Sequence, residues 1–422
     1  MTAEPLRDRL RRLGVKTGRD AFANPPPPRQ GATLPPAPAP IPSLIPGREL
    51  ATGAGVYFVA ESIYPVHHRH GTRALADVLA CDPNTAARIT RNDSFAGIDL
   101  SRLAFFDIET TGLAGGAGTL AFLIGVGAFE NDHFILRQFF LRDPAEEHAL
   151  LHGLLEQLQT HDALVTYNGR SFDVPIVQSR LTLARRRFNL SALPNLDLLA
   201  PARRLWRGRT ENCSLGTLET AILGLQRTEA DVPGWAIPQL YVDYLRTGDA
   251  REMQRVIYHN AEDILSMVTL AAHILDTFGD PLHSTRSAED CLRLALWHDD
   301  MGQPAEAESA FRAAQSGKLP RAQRSVLCQR YAALLKRADR YAEAASLWEQ
   351  WARLAPDDPA PCIELAKYYE WHTADPALAG EWAGNAMLCL SHWPKGWKRD
   401  EAWAEVLHRL ERLRRKQPRG RP

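Results

Sequence analysis

Phe105-Phe106-Asp107-Ile108-Glu109-Thr110-Thr111-Gly112-Leu113 is the stretch on which the reading of the whole chain turns. It completes the apolar run Leu103–Ile108, short and dense enough to be a buried strand. Side chains alternate faces along a strand, so Asp107 and Glu109 point to the same side, two positions apart. They stand where the strand gives way to a glycine-containing loop. Two carboxylates held this close repel each other unless a cation neutralises them, and hard oxygen ligands of this kind suit magnesium or manganese.

Outward from this strand, the pattern predicts strands at Val56–Ile63, Leu120–Phe129, His133–Leu141 and Ala163–Tyr167. Glu130-Asn131-Asp132 between the second and third of these is a hairpin signal. Helices are expected at Pro144–Gln159, capped by Asp143 with Pro144 at the first helical position, and at Phe172–Arg187. A long helix is expected over residues 250–276, its apolar stripe formed by Val256, Ile257, Ile264, Met267, Val268 and Ala271. Three strands in a row, then helix, strand and helix, predict an α/β domain with a mixed sheet flanked by helices.

Two further segments add chemistry. In Leu164-Val165-Thr166-Tyr167-Asn168-Gly169-Arg170-Ser171-Phe172-Asp173 a strand leads through a tight Asn-Gly turn into a helix that presents Asp173. In Tyr258-His259-Asn260-Ala261-Glu262-Asp263, residues four apart share a helix face, so His259 and Asp263 project together while Tyr258 points elsewhere. The expectation is that Asp107, Glu109, Asp173, Asp263 and His259 converge on one end of the sheet.

These three segments resemble the exonuclease motifs of the DEDD superfamily, which has a ribonuclease H-like fold. The resemblance implies that Asp107, Glu109, Asp173 and Asp263 bind two divalent ions, Mg²⁺ or Mn²⁺, and that His259 acts as general base or positions the water. His259 stands at the spacing of the tyrosine-type subclass, four residues before Asp263. Cys213-Ser214-Leu215-Gly216-Thr217-Leu218-Glu219, Leu223-Gly224-Leu225-Gln226-Arg227, Pro238-Gln239-Leu240-Tyr241 and Leu245-Arg246-Thr247-Gly248-Asp249 narrow the likeness to bacterial YprB-type ribonuclease H-like proteins, over roughly residues 50–280. The implied activity is 3′–5′ exonucleolytic hydrolysis of DNA or RNA, acting on single-stranded 3′ ends. Two ions about 3.5–4 Å apart would stabilise the attacking and leaving oxygens of an in-line displacement, and a neutral His259 would take the water's proton. Thr110, Thr111 and Leu113 are placed to touch the terminal nucleotide, and Asn168 to hold backbone or a water.

From Arg170 to Arg209 there are nine arginines, opposed by Asp173 and Asp197. Arg170, Arg185, Arg186 and Arg187 are the candidate phosphate contacts, of a kind that gives salt-dependent, sequence-independent affinity. Asp197 reads as a structural acid. His67-His68-Arg69-His70 lacks a matching ligand cluster at zinc spacing and reads as a polar loop.

The ends of the chain differ from the middle. Ten of the 22 residues from Pro25 to Pro46 are proline, so residues 1–46 are expected to form a disordered, basic and proline-rich segment ahead of a nuclease domain over residues 47–280. Eight of the ten tryptophans lie beyond residue 280, where the pattern turns helical and Ala-rich. There Pro304-Ala305-Glu306-Ala307-Glu308-Ser309-Ala310-Phe311 is echoed 37 residues later by Tyr341-Ala342-Glu343-Ala344-Ala345-Ser346-Leu347-Trp348, with a degenerate third copy at Asp375–Met387. Such a period resembles tetratricopeptide repeats, so an all-α repeat domain over residues 285–408 is expected, with a groove for a protein partner and a frayed basic tail over 409–422. Lys+Arg and Asp+Glu are both 50, so no global charge steers the chain to nucleic acid or membrane. The absence of an 18-residue apolar run, of a signal-like N-terminus and of paired cysteines among Cys81, Cys213, Cys291, Cys328, Cys362 and Cys389 fits a cytoplasmic protein. Two rivals to the exonuclease are a nucleic-acid-binding adaptor whose repeats recruit a partner, and a structure-specific endonuclease. The intact acidic set favours an enzyme over the adaptor.

Overall fold

Strand β3 (Leu103–Thr110) is paired on both sides, antiparallel to β4 (Ala121–Glu130) and parallel to β6 (Ala163–Thr166). That central position is why its sequence is an unbroken apolar run up to Asp107. The computed structural model describes residues 37–112, 118–280 and 287–416. With β1 (Gly47–Thr52), β2 (Gly55–Pro65), β5 (His133–Phe140) and β7 (Asn195–Asp197), the sheet has seven strands in the order β1-β2-β5-β4-β3-β6-β7. The predicted hairpin closes through Asn131, whose φ of 52° is the left-handed conformation such a turn demands.

The helices of eight residues or more in this part are α1 (Pro83–Thr90), α2 (Glu147–Leu158), α3 (Asp173–Leu183), α4 (Leu199–Trp206), α5 (Ile237–Thr247) and α6 (Arg251–Gly279). Ala104, Phe106 and Ile108 of β3 face one apolar cluster with α2 and α3, while Leu103 and Phe105 face a second cluster with Ile264 and Val268 of α6. Asp107 and Glu109 lie on the α6 side, in phase with Leu103 and Phe105. Close approach of α6 depends on Gly125 and Gly127 of β4. A Cβ at Gly125 would stand 2.3 Å from Ile264 and 2.4 Å from Asn260 Oδ1. The predicted helix Phe172–Arg187 is shorter, ending at Leu183, with Arg185 already left-handed at φ 55°.

The all-helical region contains α7 (Ala288–Asp300), α8 (Pro304–Ser316), α9 (Arg321–Arg337), α10 (Tyr341–Leu354), α11 (Pro359–Trp371), α12 (Pro376–Ser391) and α13 (Trp397–Lys416). The second helices of successive pairs start at residues 304, 341 and 376, matching the sequence echo. This region is joined to the sheet domain by one continuous apolar cluster. Phe278 of α6 packs edge-on against Trp297, ring centroids 4.4 Å apart, and stacks on His298. Arg204 and Arg209 pair with Asp300 and Asp290 across the same junction. Among the described residues no helix is long and apolar enough to cross a membrane.

Two sequence expectations about the ends need correction. Packing begins before Gly47: Ile41 and Ile45 are 1% and 6% exposed, the Ala250 N–H donates to Ala39 O at 2.9 Å, and Gln254 Nε2 donates to Leu44 O at 2.8 Å. Proline density misled here because Pro40 and Pro42 sit at the start of a short helix (Ile41–Leu44), where a missing N–H costs nothing. Ile41→Ala should therefore cost roughly 2–5 kcal/mol, read as a lowered melting temperature; an unchanged melt would place residues 37–46 outside the folded unit. At the other end the helix continues to Lys416, not to a frayed start at 409. Arg409, Arg412 and Lys416 all reach the Glu370 carboxylate, at 2.6, 2.7 and 2.9 Å. Their pull holds its pKa down, to about 2.

Candidate active site

The strand alternation, the Asn-Gly turn and the helix spacing do bring the acids together. Asp107 and Glu109 leave β3 on the side covered by α6, which carries His259 and Asp263. A register shift between Glu109 and Thr110 bends the strand as it exits the sheet. Asp173, 5% exposed, opens α3. Its delivery depends on Gly169, where a Cβ would stand 2.6 Å from Thr166 Cβ and 2.8 Å from the Asp173 Oδ2. Asp197, read from sequence as structural, accepts from the backbone N–H groups of Asn168, Arg170 and Leu199 at 2.8, 3.1 and 3.1 Å, fixing this loop.

The carboxylates perturb one another strongly. Burial first, then the charges of Asp263, Asp173 and Glu109, push the Asp107 pKa well above the ordinary range. Burial and Asp263 do the same to Glu109. Burial raises Asp173 to about 7 against the opposing N–H groups of Asp173 and Ile108, and raises Asp263 against Arg227 and His259. Four acids that resist ionising together are matched by cationic charge. Glu109, His259 and Asp263 each offer a ligand atom within 4.8 Å of the others. The donor set therefore fits a divalent cation.

Several residues that complete the site were not singled out for it from sequence. Asn260 Nδ2 donates to Asp107 Oδ2 at 2.8 Å, while Asn260 Oδ1 accepts from Gln138 Nε2 at 2.9 Å. Gln138 is 2% exposed in β5 and also donates to Ile257 O, so a buried amide relay fixes the Asp107 carboxylate from behind. The Arg227 guanidinium grips Glu219 at 2.8 and 2.6 Å and also contacts Asp263. His259 Nδ1 lies 2.7 Å from Asp231 and 3.1 Å from Arg227 Nη1. Asp231 accepts only, Arg227 donates only, and the Asp231 contact is the shorter of the two, which favours the imidazole proton on Nδ1 over an acceptor role toward Arg227. The Nε2 lone pair then faces Asp263 Oδ2 at 3.6 Å and Glu109 Oε1 at 4.0 Å. A polar residue inside an apolar pattern, as Gln138 and Asn260 are, was the available signal.

Residues 104–275 match the RNase_H_2 family of the RNase_H superfamily. YprB of Bacillus subtilis (strain 168) is 32% identical over 376 residues, covering 85% of this chain and 86% of that protein. The chain belongs to the YprB family. A crystal structure of PcrH from Pseudomonas aeruginosa aligns at 15% identity with a TM-score of 0.26, covering 32% of this chain and 99% of that one. Superfamily membership suggests a nuclease-type function, because RNase H-like proteins are usually nucleases and typically use divalent metals.

Within this YprB-family chain the predicted nucleic-acid contacts divide. Asn168 and Arg170 are exposed on the loop that leads to Asp173. Thr110 is buried and its hydroxyl donates to Gly112 O at 2.9 Å, while the Thr111 hydroxyl accepts from Leu120 N at 3.1 Å; both shape the loop. Leu113 lies outside the described residues. Arg185, Arg186 and Arg187 follow the far end of α3, about 16 Å of helix from Asp173. Arg186 is half-buried, 3.5 Å from His148 O. The His67–His70 segment is structural: His70 is buried against Ser266 Oγ at 2.8 Å, and burial lowers its pKa to about 4.

Proposed function

We infer that this chain is a divalent-metal-dependent 3′–5′ exonuclease acting on single-stranded DNA or RNA ends. The observation that carries this reading is the convergence of Asp107, Glu109, Asp173 and Asp263, with an imidazole whose Nε2 faces Glu109 and Asp263. Two Mg²⁺ or Mn²⁺ ions held by these acids would neutralise phosphoryl charge and make the attacking water more acidic. His259 Nε2 takes the proton of that water as its oxygen attacks phosphorus. Asp231 holds the Nδ1 proton and stabilises the imidazolium that results. The bond to the 3′-oxygen of the penultimate nucleotide breaks, releasing a 5′-phosphate nucleotide; the leaving oxygen takes a proton from solvent to become the new 3′-hydroxyl, and the imidazolium returns its proton to solvent. Asn260 and Arg227 keep the Asp107 and Asp263 carboxylates oriented throughout.

The test uses end-labelled single- and double-stranded DNA and RNA with Mg²⁺ or Mn²⁺, plus a circular single strand. Mononucleotide release from the 3′ end, abolished by chelator, is the expected result. Cleavage of the circle would make the enzyme an endonuclease, and no cleavage of any substrate would remove the reading.

A further inference from the structure

Three cavities, each sharing lining residues with the next, lead away from the loop that presents Asp173. The first, of ≈ 480 Å³, lies between Arg91 and Arg170. The second, of ≈ 400 Å³, shares Thr90, Arg170 and Asn195 with the first and extends to Asn168 and Arg203. The third, of ≈ 450 Å³, shares Ala200 and Arg203 with the second and runs past Arg207 to Arg293 and Arg330 of the helical region. Together they form a furrow from the carboxylate end of β6 and β7 to helices α7 and α9. Crevices beyond the carboxyl ends of strands are where open α/β sheets take ligands.

The furrow has a one-sided charge. Seven arginines line it, against Asp197 and Asp300. Asp197 is already satisfied by three backbone N–H groups, and Asp300 by Arg204 and Arg330. Arginines with a structural role in the same stretch are recognisable by their acids: Arg180 with Glu147, Arg204 with Asp300, Arg209 with Asp290. Arg170, Arg203 and Arg207 differ. All three are exposed, and among the described residues none has a carboxylate within 4.0 Å. Ala200, Arg203 and Arg207 fall at i, i+3 and i+7, on one face of α4 and its cap, and the small Ala200 keeps that face open. Asn195 borders two of the cavities; its Oδ1 accepts from the Thr166 hydroxyl at 3.0 Å, and its buried Nδ2 has no partner among the described residues.

We propose that this furrow carries the phosphodiester backbone of the single strand whose 3′ end lies at the carboxylates, so that the helical region extends the nucleic-acid surface through Arg293, while Arg330 is held by Asp299 and Asp300 and shapes the wall. The placement of the strand's end rests on the nuclease reading; the polyanion track rests on the unpaired arginines. Its occupant needs negative charges repeated at intervals along a flexible chain, which a single-stranded nucleic acid supplies.

The test measures binding, not cleavage, in the full-length Asp107→Asn chain with labelled oligo-dT and oligo-U of about 5 and about 20 nucleotides. Affinity should rise with length. Arg203→Ala/Arg207→Ala should remove most of that rise and flatten the log–log salt slope for the longer probe by about 1.4, two phosphate contacts at roughly 0.7 each. Arg203→Lys/Arg207→Lys should keep most of the slope. Thermal melts should be unchanged, because these side chains are exposed and lack acidic partners. An unchanged slope and length dependence in the double alanine variant overturns the proposal. So does a slope lost only in Arg185→Ala/Arg186→Ala/Arg187→Ala, which would route the strand along α3. A flattened slope in a chain whose parent never cleaves would retain the furrow and remove the nuclease reading; cleavage by the parent with an unaffected slope would do the reverse.

Discussion

Asp107→Asn should abolish turnover, by at least roughly 10³-fold, and should raise the melting temperature of the metal-free chain at pH 8 by a few degrees. The two effects have one origin. Asp107 is enclosed beside Asp263, Asp173 and Glu109, and its charged form is disfavoured by burial and by their repulsion. Without cations each of these acids has a folded pKa above its unfolded one. Between the two values the native state holds protons that the unfolded chain has released, so stability falls as pH rises. For Asp173 that window runs from roughly 3.9, the unfolded value, to about 7. Melts in chelator should therefore show the parent losing stability from pH 5 to pH 8, and the Asn variant losing less. The amide keeps an oxygen for Asn260 Nδ2, so the Gln138–Asn260 relay survives. Adding Mg²⁺ should stabilise the parent and close the gap, since a ligand bound by the native state alone stabilises it. Parent-level turnover in the variant, or a lower melting temperature at pH 8, would show that these acids do not form a cation site.

Local periodicity made the acids legible. Strand alternation alone put Asp107 and Glu109 on one face, helix spacing paired His259 with Asp263, and Asn168-Gly169 announced the turn that delivers Asp173. What local pattern does not encode is partnership over long separations. Gln138 meets Asn260 across 122 residues, and Arg91 of the sheet domain donates to Asp300 O of the helical region across 209. Arg227 and Asp231 sit in a stretch without periodicity, positioned by Glu219 and by α6. Composition misled where it averaged over chemistry. Proline density hid Ile41 in the core, a basic tail hid three cations gathered on Glu370, and an arginine-rich run mixed structural ion pairs with the exposed side chains of α4.

His259→Ala should lower turnover by about 10²–10⁴-fold, the usual contribution of a positioned general base. The half-activating Mg²⁺ concentration should stay nearly constant, because the reading gives His259 a proton to move and leaves the cations to the four acids. Its ring lies close enough to Glu109 and Asp263 to serve as a ligand instead, and a large rise in the Mg²⁺ requirement would assign it that role. Asp231→Asn is the sharper probe of orientation. It removes the carboxylate that holds Nδ1 at 2.7 Å while leaving the Nε2 side untouched, and loss of such a supporting contact typically costs about 10–100-fold. That loss should fall on kcat more than on KM, since a rotated or re-tautomerised imidazole binds substrate no worse but accepts the proton less well. Tyr258→Phe serves as the control. The tyrosine hydroxyl is turned to Thr228 Oγ1 at 3.3 Å, on another face of α6 from Asp263, so its loss should be nearly silent. A crippling Tyr258→Phe beside a mild His259→Ala would mean that a phenol orients the water, and Asp231 would then be an ordinary partner of Arg227 rather than part of the proton path.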